Sequence, residues 1–290
     1  DLGYIELKEF LYEPLTIIVG RQNLRYGQAL IVGDVDTNQV ASAKMPTSVA
    51  DLSLRKSFDA VRAIFDYDPY TLDLIYAKPR EGALDVRDDI TLWGANLAYS
   101  LDSHGAVAEA YFFGSKTRGG AAVNEDQDST YTVGTRAMVN LSENLTLGLE
   151  GVYQFGDSNQ ATVPDRHLDA FVIQFISEYR FLDKYKTKVG FDYTYLSGDD
   201  PSTANDEAWD PMFEDQIPAE LMNIFLAQTG FQLWGFSSSF MPAEDITLGL
   251  RYAHGRYVEG NINSIIAGAA GSAIAGNFVS ANIGEKHLGD

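Results

Sequence analysis

Val189-Gly190-Phe191-Asp192-Tyr193-Thr194-Tyr195 alternates strictly: Val189, Phe191, Tyr193 and Tyr195 fall on one side of an extended chain, Gly190, Asp192 and Thr194 on the other. Successive side chains of a strand point to opposite faces, so this is a strand with one apolar and one polar face. The same period sets Trp93, Ala95, Leu97 and Tyr99 against Gly94, Asn96 and Ala98. It sets Leu145, Leu147, Leu149, Gly151, Tyr153 and Phe155 against Thr146, Gly148, Glu150 and Gln154, and Ile246, Leu248, Leu250 and Tyr252 against Thr247, Gly249 and Arg251. About twelve such stretches are expected, near 2–10, 14–22, 57–66, 70–78, 89–100, 104–115, 129–140, 144–156, 167–181, 185–196, 224–239 and 245–257. Hardly any helical period competes with them. The chain reads as all-β.

Composition narrows the classes. The 290 residues carry 21 Lys+Arg against 41 Asp+Glu, a formal net charge of −20, with 45% hydrophobic residues, 12% aromatics and no cysteine. A surplus of acid excludes most nucleic-acid binders, which must meet a phosphate backbone with Lys and Arg. Without cysteine there is no disulfide framework, thiolate metal site or Cys nucleophile. No run approaches the ~18 consecutive apolar residues that a spanning helix requires. The apolar content is too high for a wholly disordered chain.

The links between strands select the architecture. Short ones (11–13, 67–69, 101–103, 141–143, 182–184, 241–244) alternate with long ones (23–56, 79–88, 116–128, 157–166, 198–223, 258–279). A soluble sandwich has no reason to alternate them; an outer-membrane barrel does, with short periplasmic turns, longer extracellular loops and strands of ~9–11 residues. Tyr99, Tyr153, Phe155, Tyr179, Phe181, Tyr195, Tyr252 and Tyr257 lie toward strand ends, where an interfacial girdle belongs. The competing reading is a soluble β-protein with aromatics in its core, but charges on the opposite faces suit a wet lumen better. The expectation is a transmembrane antiparallel up-and-down β-barrel in the outer membrane of a Gram-negative-type bacterium, with the lipid bilayer as a partner.

Strand direction puts Asp1 on the long-loop side, whereas bacterial barrels usually begin and end in the periplasm with an even strand count. The 258–279 link leaves a thirteenth strand only beginning as the chain runs to Asp290, and no signal peptide opens the sequence. Residues 1–290 are therefore expected to be a single barrel domain truncated at both ends, with about 12–13 strands visible.

Several short motifs occur in a set order. Gly20-Arg21-Gln22 precedes Tyr26-Gly27; then come Ser57-Phe58-Asp59-Ala60-Val61-Arg62, Leu72-Asp73-Leu74-Ile75-Tyr76-Ala77, Tyr153-Gln154-Phe155-Gly156, Tyr179-Arg180-Phe181, Ser197-Gly198-Asp199, Trp209-Asp210-Pro211-Met212-Phe213 and Ile283-Gly284-Glu285. Each word alone is weak, but their order and placement at strand ends over nearly the whole chain resemble the alginate-export family of outer-membrane porins. That resemblance implies an eighteen-stranded barrel, of which about a third of the strands would be absent here. It also implies passage of an anionic polysaccharide through a lumen lined by arginines and some acids.

A selectivity filter of charged side chains attracts one sign of charge while letting it leave. Parity nominates residues for it. Arg62 shares a face with Ala60 and Asp66, opposite Val61, Ala63, Phe65 and Tyr67. Arg136 lies with Thr130, Thr132 and Gly134, Arg180 with Gln174 and Glu178, Lys188 with Asp192, and Arg251 with Thr247 and Gly249. All five point into the lumen if the apolar face meets lipid; the converse costs about 2–4 kcal/mol for Arg or Lys at the bilayer midplane. Asp73, Glu109, Glu150, Glu178 and Asp192 are assigned to the same inner face. Two readings stay open: pore-lining residues that meet solute, or a cross-strand lattice of opposite charges that stiffens the wall by ~0.2–1 kcal/mol per pair. Arg21 shares parity with Leu15, Ile17 and Val19, so its place in the pore rests on the motif resemblance alone.

The 198–220 stretch holds Asp199, Asp200, Asp206, Glu207, Asp210, Glu214, Asp215 and Glu220 with no Lys or Arg. It fits no EF-hand spacing, so a solvated loop is expected rather than a calcium site. Ile265 to Gly276, small and free of charge, is read as a flexible loop, with an inward plug or packing against a neighbour as the alternatives. No cofactor or metal is expected. His104, His167, His254 and His287 form no metal or triad pattern, so the chain is not read as an enzyme; a Ser/His pair near His104 or His167 is the one hydrolase alternative. The functional expectation is a porin for passive passage of anionic or carbohydrate solutes. The alternatives are a general small-solute porin and a structural or adhesive surface barrel with a closed lumen.

Overall fold

Strands joined by short turns satisfy their backbone hydrogen bonds by pairing antiparallel with the next strand. The structure, a computed structural model, describes residues 2–35, 57–80, 90–101, 105–118, 127–160, 163–200, 202–215, 229–257 and 276–285. The strands are β1 (Gly3–Leu7), β2 (Leu15–Gln22), β3 (Phe58–Tyr67), β4 (Tyr70–Arg80), β5 (Ile90–Leu101), β6 (Ala106–Arg118), β7 (Gln127–Asn140), β8 (Leu145–Gln160), β9 (Val163–Arg180), β10 (Lys188–Leu196), β11 (Phe231–Ala243), β12 (Ile246–Tyr257) and β13 (Gly276–Glu285). They form one 13-stranded sheet whose spatial order is the sequence order, an up-and-down meander.

Several strands differ from expectation in length. The 2–10 stretch pairs only over Gly3–Leu7, because the chain turns through Glu9 and Leu11, both at positive φ (52° and 63°). The thirteenth strand, expected only to begin, runs ten residues and pairs with β12 from Ile246↔Glu285 to Gly255↔Gly276. β8 and β9 span 16 and 18 residues, more than the ~9–11 a bilayer crossing needs. They therefore continue past the membrane on the long-loop side, where Ser158 still pairs with Arg166.

The outward face is apolar and bare. Leu149 is 57% exposed and Phe236 52%, and Val61, Leu74, Leu97, Val133, Ile173 and Leu250 are likewise exposed. A continuous apolar surface of this extent marks a membrane contact. Aromatic rings border it. Trp93, Phe112, Tyr131 and Phe155 run as a chain across β5 to β8 with centroid separations of 5.5, 6.2 and 5.5 Å. At the short-turn end Tyr70 packs on Tyr99 at 4.8 Å and Tyr179 on Phe181 at 4.9 Å. Rings that are apolar in body and polar at the tip settle at such interfaces.

The short turns are closed by their own side chains. The Ser142 hydroxyl accepts the Asn144 and Leu145 N–H groups at 3.3 and 3.1 Å. The Asp183 carboxylate accepts the Thr187 N–H at 2.9 Å and its hydroxyl at 2.7 Å, and these bonds hold the carboxyl below its ordinary range.

Because the two faces differ, one charge has opposite effects on them. Leu149→Lys is expected to destabilise the folded barrel by about 2–4 kcal/mol, while Ala98→Lys, whose register partner is Glu109, stays within about 1 kcal/mol of the parent. Urea titration of protein refolded into lipid vesicles measures both, and equal costs would reverse the face assignment.

Candidate functional site: the lumenal wall and its insert

The inner face carries polar residues in register. Glu109 pairs with Arg136, Arg136 with Glu150, Glu150 with Gln174 and Gln174 with Thr194, one row across five consecutive strands from β6 to β10. An adjoining row sets Asp73 beside Asn96 and Asn96 beside Tyr111 across β4 to β6. Tyr111 joins the rows by donating its hydroxyl to Glu150 Oε1 at 2.6 Å. To do so it crosses β7 over Gly134, where a Cβ would fall 2.4 Å from the ring. Asp192 likewise lies over Gly235 of β11, where a Cβ would fall 2.4 Å from its carboxylate oxygens, and it reaches Arg251 on β12 at 2.5 Å. Inward glycines thus let side chains bond two strands away, a use of glycine within strands that sequence patterning flags only as a close approach.

All ten residues nominated by parity stand on this face. Arg62 donates Nε to Asp73 Oδ2 at 2.6 Å, with its guanidinium 5.7 Å from the centre of the Tyr26 ring. Arg136 bonds Glu109 through Nη1 and lies 4.0 Å from Glu150 Oε2. Arg180 and Lys188 both approach Glu178, at 2.7 and 3.8 Å, near the short-turn end. Each of these four cations therefore faces a carboxylate on its own or a neighbouring strand, and Arg251 faces one two strands away. Arg21 is different: it stands on the outward face with Val19, in an exposed pair with Asp59 at 2.9 and 2.7 Å. The register, in which Gln22 rather than Arg21 turns inward, overrides the motif-based expectation that Arg21 joins the pore.

Two connections expected as external loops fold inward. Leu24, Ala29, Leu30, Ile31 and Val32 after β2, and Trp209, Met212 and Phe213 after β10, are buried. They pack against inward residues of the wall, among them Phe58, Phe113, Val152 and Leu233. The apolar core of the molecule therefore lies inside the barrel. The two segments bond each other: Phe213 donates its N–H to Ile31 C=O (3.0 Å), Gly33 donates to Phe213 C=O (2.7 Å), and Asp215 donates to Ala29 C=O (2.8 Å). Arg25 adds an ion pair to Asp215 at 2.7 Å.

The solvated loop expected over 198–220 is thus corrected for its described part, Gly198 and onward to Asp215. Its apolar triplet Trp209, Met212 and Phe213 leaves water for the lumen wall, and Asp199, Asp206 and Asp210 follow because each finds a partner there. Gln154, fully buried, accepts the Asp210 N–H at 3.0 Å and donates to the Asp210 C=O at 2.8 Å. Thr130 donates to Asp210 Oδ2 at 3.2 Å, and Asp210 Oδ1 caps the Met212 N–H at 2.9 Å. Arg166 grips Asp199 with two bonds at 3.0 and 2.7 Å, and Ser158 donates to buried Asp206 at 2.6 Å. Asp206 also bridges in parallel to Leu168 on the part of β9 that extends beyond β10. The Ser197 carbonyl is the pivot, accepting the N–H groups of Trp209 and Gly230 at 3.1 and 2.8 Å.

The other segment turns at Gly27, whose φ of +56° favours glycine and whose Cβ would sit 3.2 Å from Arg136 Cδ and 3.3 Å from Glu150 Oε1. The tip of the insert therefore rests on the charged row itself. Gln154, Tyr111 and the two glycines lie outside the charged set that parity nominates; their inward parity within a strand is the signal that points to them. His167 stands on the outward face beside Asp157 at 3.5 Å. His104, His287 and the 265–275 stretch lie outside the described residues.

A family model described as Alginate export matches residues 1–285. Among solved structures, the outer membrane channel DcaP of Acinetobacter baumannii is similar, with TM-score 0.53, 12% identity, 91% of this chain and 70% of that one covered. OccK3 (OpdO) of Pseudomonas aeruginosa is similar with TM-score 0.53, 16% identity and 94% and 65% covered. The trimer form of in-vitro folded OmpT, an outer membrane protein of Vibrio cholerae, gives TM-score 0.53, 12% identity and 98% and 80% covered. The chain thus spans about two thirds of the OccK3 chain. At these identities the likeness shows the fold. No curated protein sequence matches the chain.

Gln154→Ala removes both bonds to the Asp210 peptide unit, and is expected to ease local opening of the 209–213 segment by about 1–3 kcal/mol. Amide hydrogen exchange should accelerate at Trp209 to Phe213 and stay unchanged in β4 to β9; unchanged exchange at Phe213 would remove Gln154 as the anchor.

Proposed function

From a chain that belongs to the alginate export family and folds as an outer-membrane β-barrel, we propose a channel for the passive passage of carbohydrate solutes, anionic or neutral. The observation that carries this reading is the contrast between an apolar outward face and an inner wall with a hydrogen-bonding row continuous from Glu109 to Thr194. Such a row offers donors and acceptors to polyhydroxylated solutes at many points, none strong enough to trap them. The family points to an anionic polysaccharide. In this reading Arg62, Arg136, Arg180, Lys188 and Arg251, with their acidic partners, line the path.

A second reading, a general small-solute porin on the same scaffold, is favoured by the pairing of each of those cations with a carboxylate, so that these five form no unopposed positive strip to select one polymer. Liposome swelling separates the two: a carbohydrate channel admits oligosaccharides ahead of other solutes of equal size, a general porin ranks solutes by size alone. A structural or adhesive barrel closed by loops gives no conductance at all.

Purified protein in planar bilayers is expected to conduct ions. The combined variant Arg62→Gln, Arg136→Gln and Arg180→Gln is expected to shift the reversal potential in a salt gradient toward cations, because it leaves Asp73, Glu109, Glu150 and Glu178 without their opposing charges. An unchanged reversal potential takes those arginines out of the pore.

A further inference from the structure

Phe181-Leu182-Asp183-Lys184-Tyr185-Lys186-Thr187, the turn from β9 to β10, is the one basic connection at the short-turn end of the described residues. The others are acidic: 8–14 sets Lys8 against Glu9 and Glu13, and the rest hold Asp68, Glu143, and Glu244 with Asp245. Lysines gathered at one turn of an acidic chain create a local field of the opposite sign to its net charge. The turn's own carboxylate is directed into the turn, where Asp183 accepts the Thr187 N–H and hydroxyl at 2.9 and 2.7 Å. Lys184 and Lys186 are exposed and stand outside the ion pairs of the described residues.

The wall above the turn continues the cluster. Lys188 stands directly opposite Arg180 in the β9–β10 register, and like charges set opposite one another weaken a strand pair. One carboxylate, Glu178, serves both, so residues 178–188 carry four cations on two acids. Farther in, Lys188 pairs with Ser239, and Gly190 with Ser237, which in turn pairs with Arg251. Arg251 gives Nη2 to Asp192 and keeps Nε without an acceptor. A line of cations and hydroxyls thus leads from the turn into the barrel. The turn is firmly held: Phe181 donates its N–H to Thr187 C=O at 2.8 Å, and Tyr185 C=O accepts the Met241 N–H of β11 at 2.7 Å. It presents an exposed ring, Tyr185, with the Lys184 ammonium 4.6 Å from its centre. A ring beside an ammonium matches the two features of a uronate, an apolar C–H face and a carboxylate.

We infer that the 181–187 turn, with Arg180 and Lys188, is a capture site for a uronate polymer at the periplasmic mouth, loading it onto the β9–β12 side of the lumen. This rests on the channel reading and deepens it. Lys184 and Lys186 gather the polyanion, Tyr185 holds one of its sugar rings, and Arg180 and Lys188 receive the next carboxylates. The wall beyond pairs its cations with acids, so a polymer admitted at the mouth meets no place strong enough to retain it.

The test is the block of single-channel current by a hexameric uronate added to one side of a planar bilayer. Orientation is read with an impermeant thiol reagent on Glu13→Cys in the β1–β2 turn, since the chain has no cysteine of its own. At about 0.1 M salt the blocking on-rate is expected to be several-fold higher from the short-turn side. The two sides should converge at about 1 M, as the screening length falls from about 10 Å to about 3 Å. The double variant Lys184→Gln, Lys186→Gln should conduct as the parent does and lose the asymmetry, while Tyr185→Ser should keep the on-rate and shorten each block. A neutral hexasaccharide should show no preference for a side. Equal on-rates, faster block from the long-loop side, no block by the uronate, or the same asymmetry with the neutral sugar overturns the inference while leaving the channel reading standing. An unchanged asymmetry in the double variant overturns the assignment to the turn, and an unchanged block duration in Tyr185→Ser takes the ring out of the site. No conductance under any condition defeats the channel reading, and the inference falls with it.

Discussion

In hydrocarbon there is no water to receive an unpaired backbone N–H or C=O, and each one left open costs several kcal/mol. Everything else in this protein follows from meeting that requirement by strand pairing. The thirteen strands pair in sequence order, and each pairing locks a register. A slip of one residue would turn Leu149, Val133 and their neighbours into water and Arg136 and Glu150 into lipid. Register is therefore held by the cost of charge in the membrane as much as by hydrogen bonds. It also places Glu109, Arg136 and Glu150 side by side, so that the opposite charges meet without a loop or a helix to arrange them.

Pairing disposes of the wall but leaves the interior unfilled, and the insert is the answer to that. A wide barrel has no second sheet to pack on, so the apolar residues within its connections have one dry surface available: inward wall residues such as Phe58, Phe113, Val152 and Leu233. Phe58 meets Phe213 edge-on at 5.8 Å and Tyr26 meets Phe113 at 5.3 Å. The two segments then satisfy one another's backbone groups through the Val32↔Phe213 bridge, which a buried connection must do. The words that carry the family resemblance are, in large part, the fasteners of this arrangement. Tyr26-Gly27 seats the tip, Gln154 holds Asp210, Ser197 is the pivot, and Trp209 to Phe213 is the buried strip. A motif that looks like a strand-end signature is here a docking instruction.

The distribution of charge changes meaning in the same way. A net charge of −20 describes a uniformly acidic chain, and parity divides it into acidic loops and an inner wall that holds the arginines. Tertiary structure moves part of the loop acid back inside and pairs the wall arginines off. The field inside the barrel therefore depends also on side chains from connections that are remote in sequence from the wall residues they approach, as Arg166 with Asp199 shows.

Alternation along each strand determined by itself that the chain is all-β, which residues face lipid, and which ten charged residues face inward, because a period of two leaves no freedom once one face must be dry. It also placed the short turns and the aromatic borders. It left undecided whether the inner charges are free or paired, since that depends on which residue of the next strand stands opposite, and register is a property of two strands. Gly134 and Gly235 show this well: each is an unremarked small residue until the neighbouring Tyr111 or Asp192 is seen crossing above it. Arg21 shows the converse, a residue whose motif pointed inward and whose partner, Asp59, lies outside. The inward path of 24–35 and 198–215 was likewise beyond the sequence, because a connection rich in carboxylates reads as solvated until a wall offers Gln154, Thr130 and Arg166 to receive it.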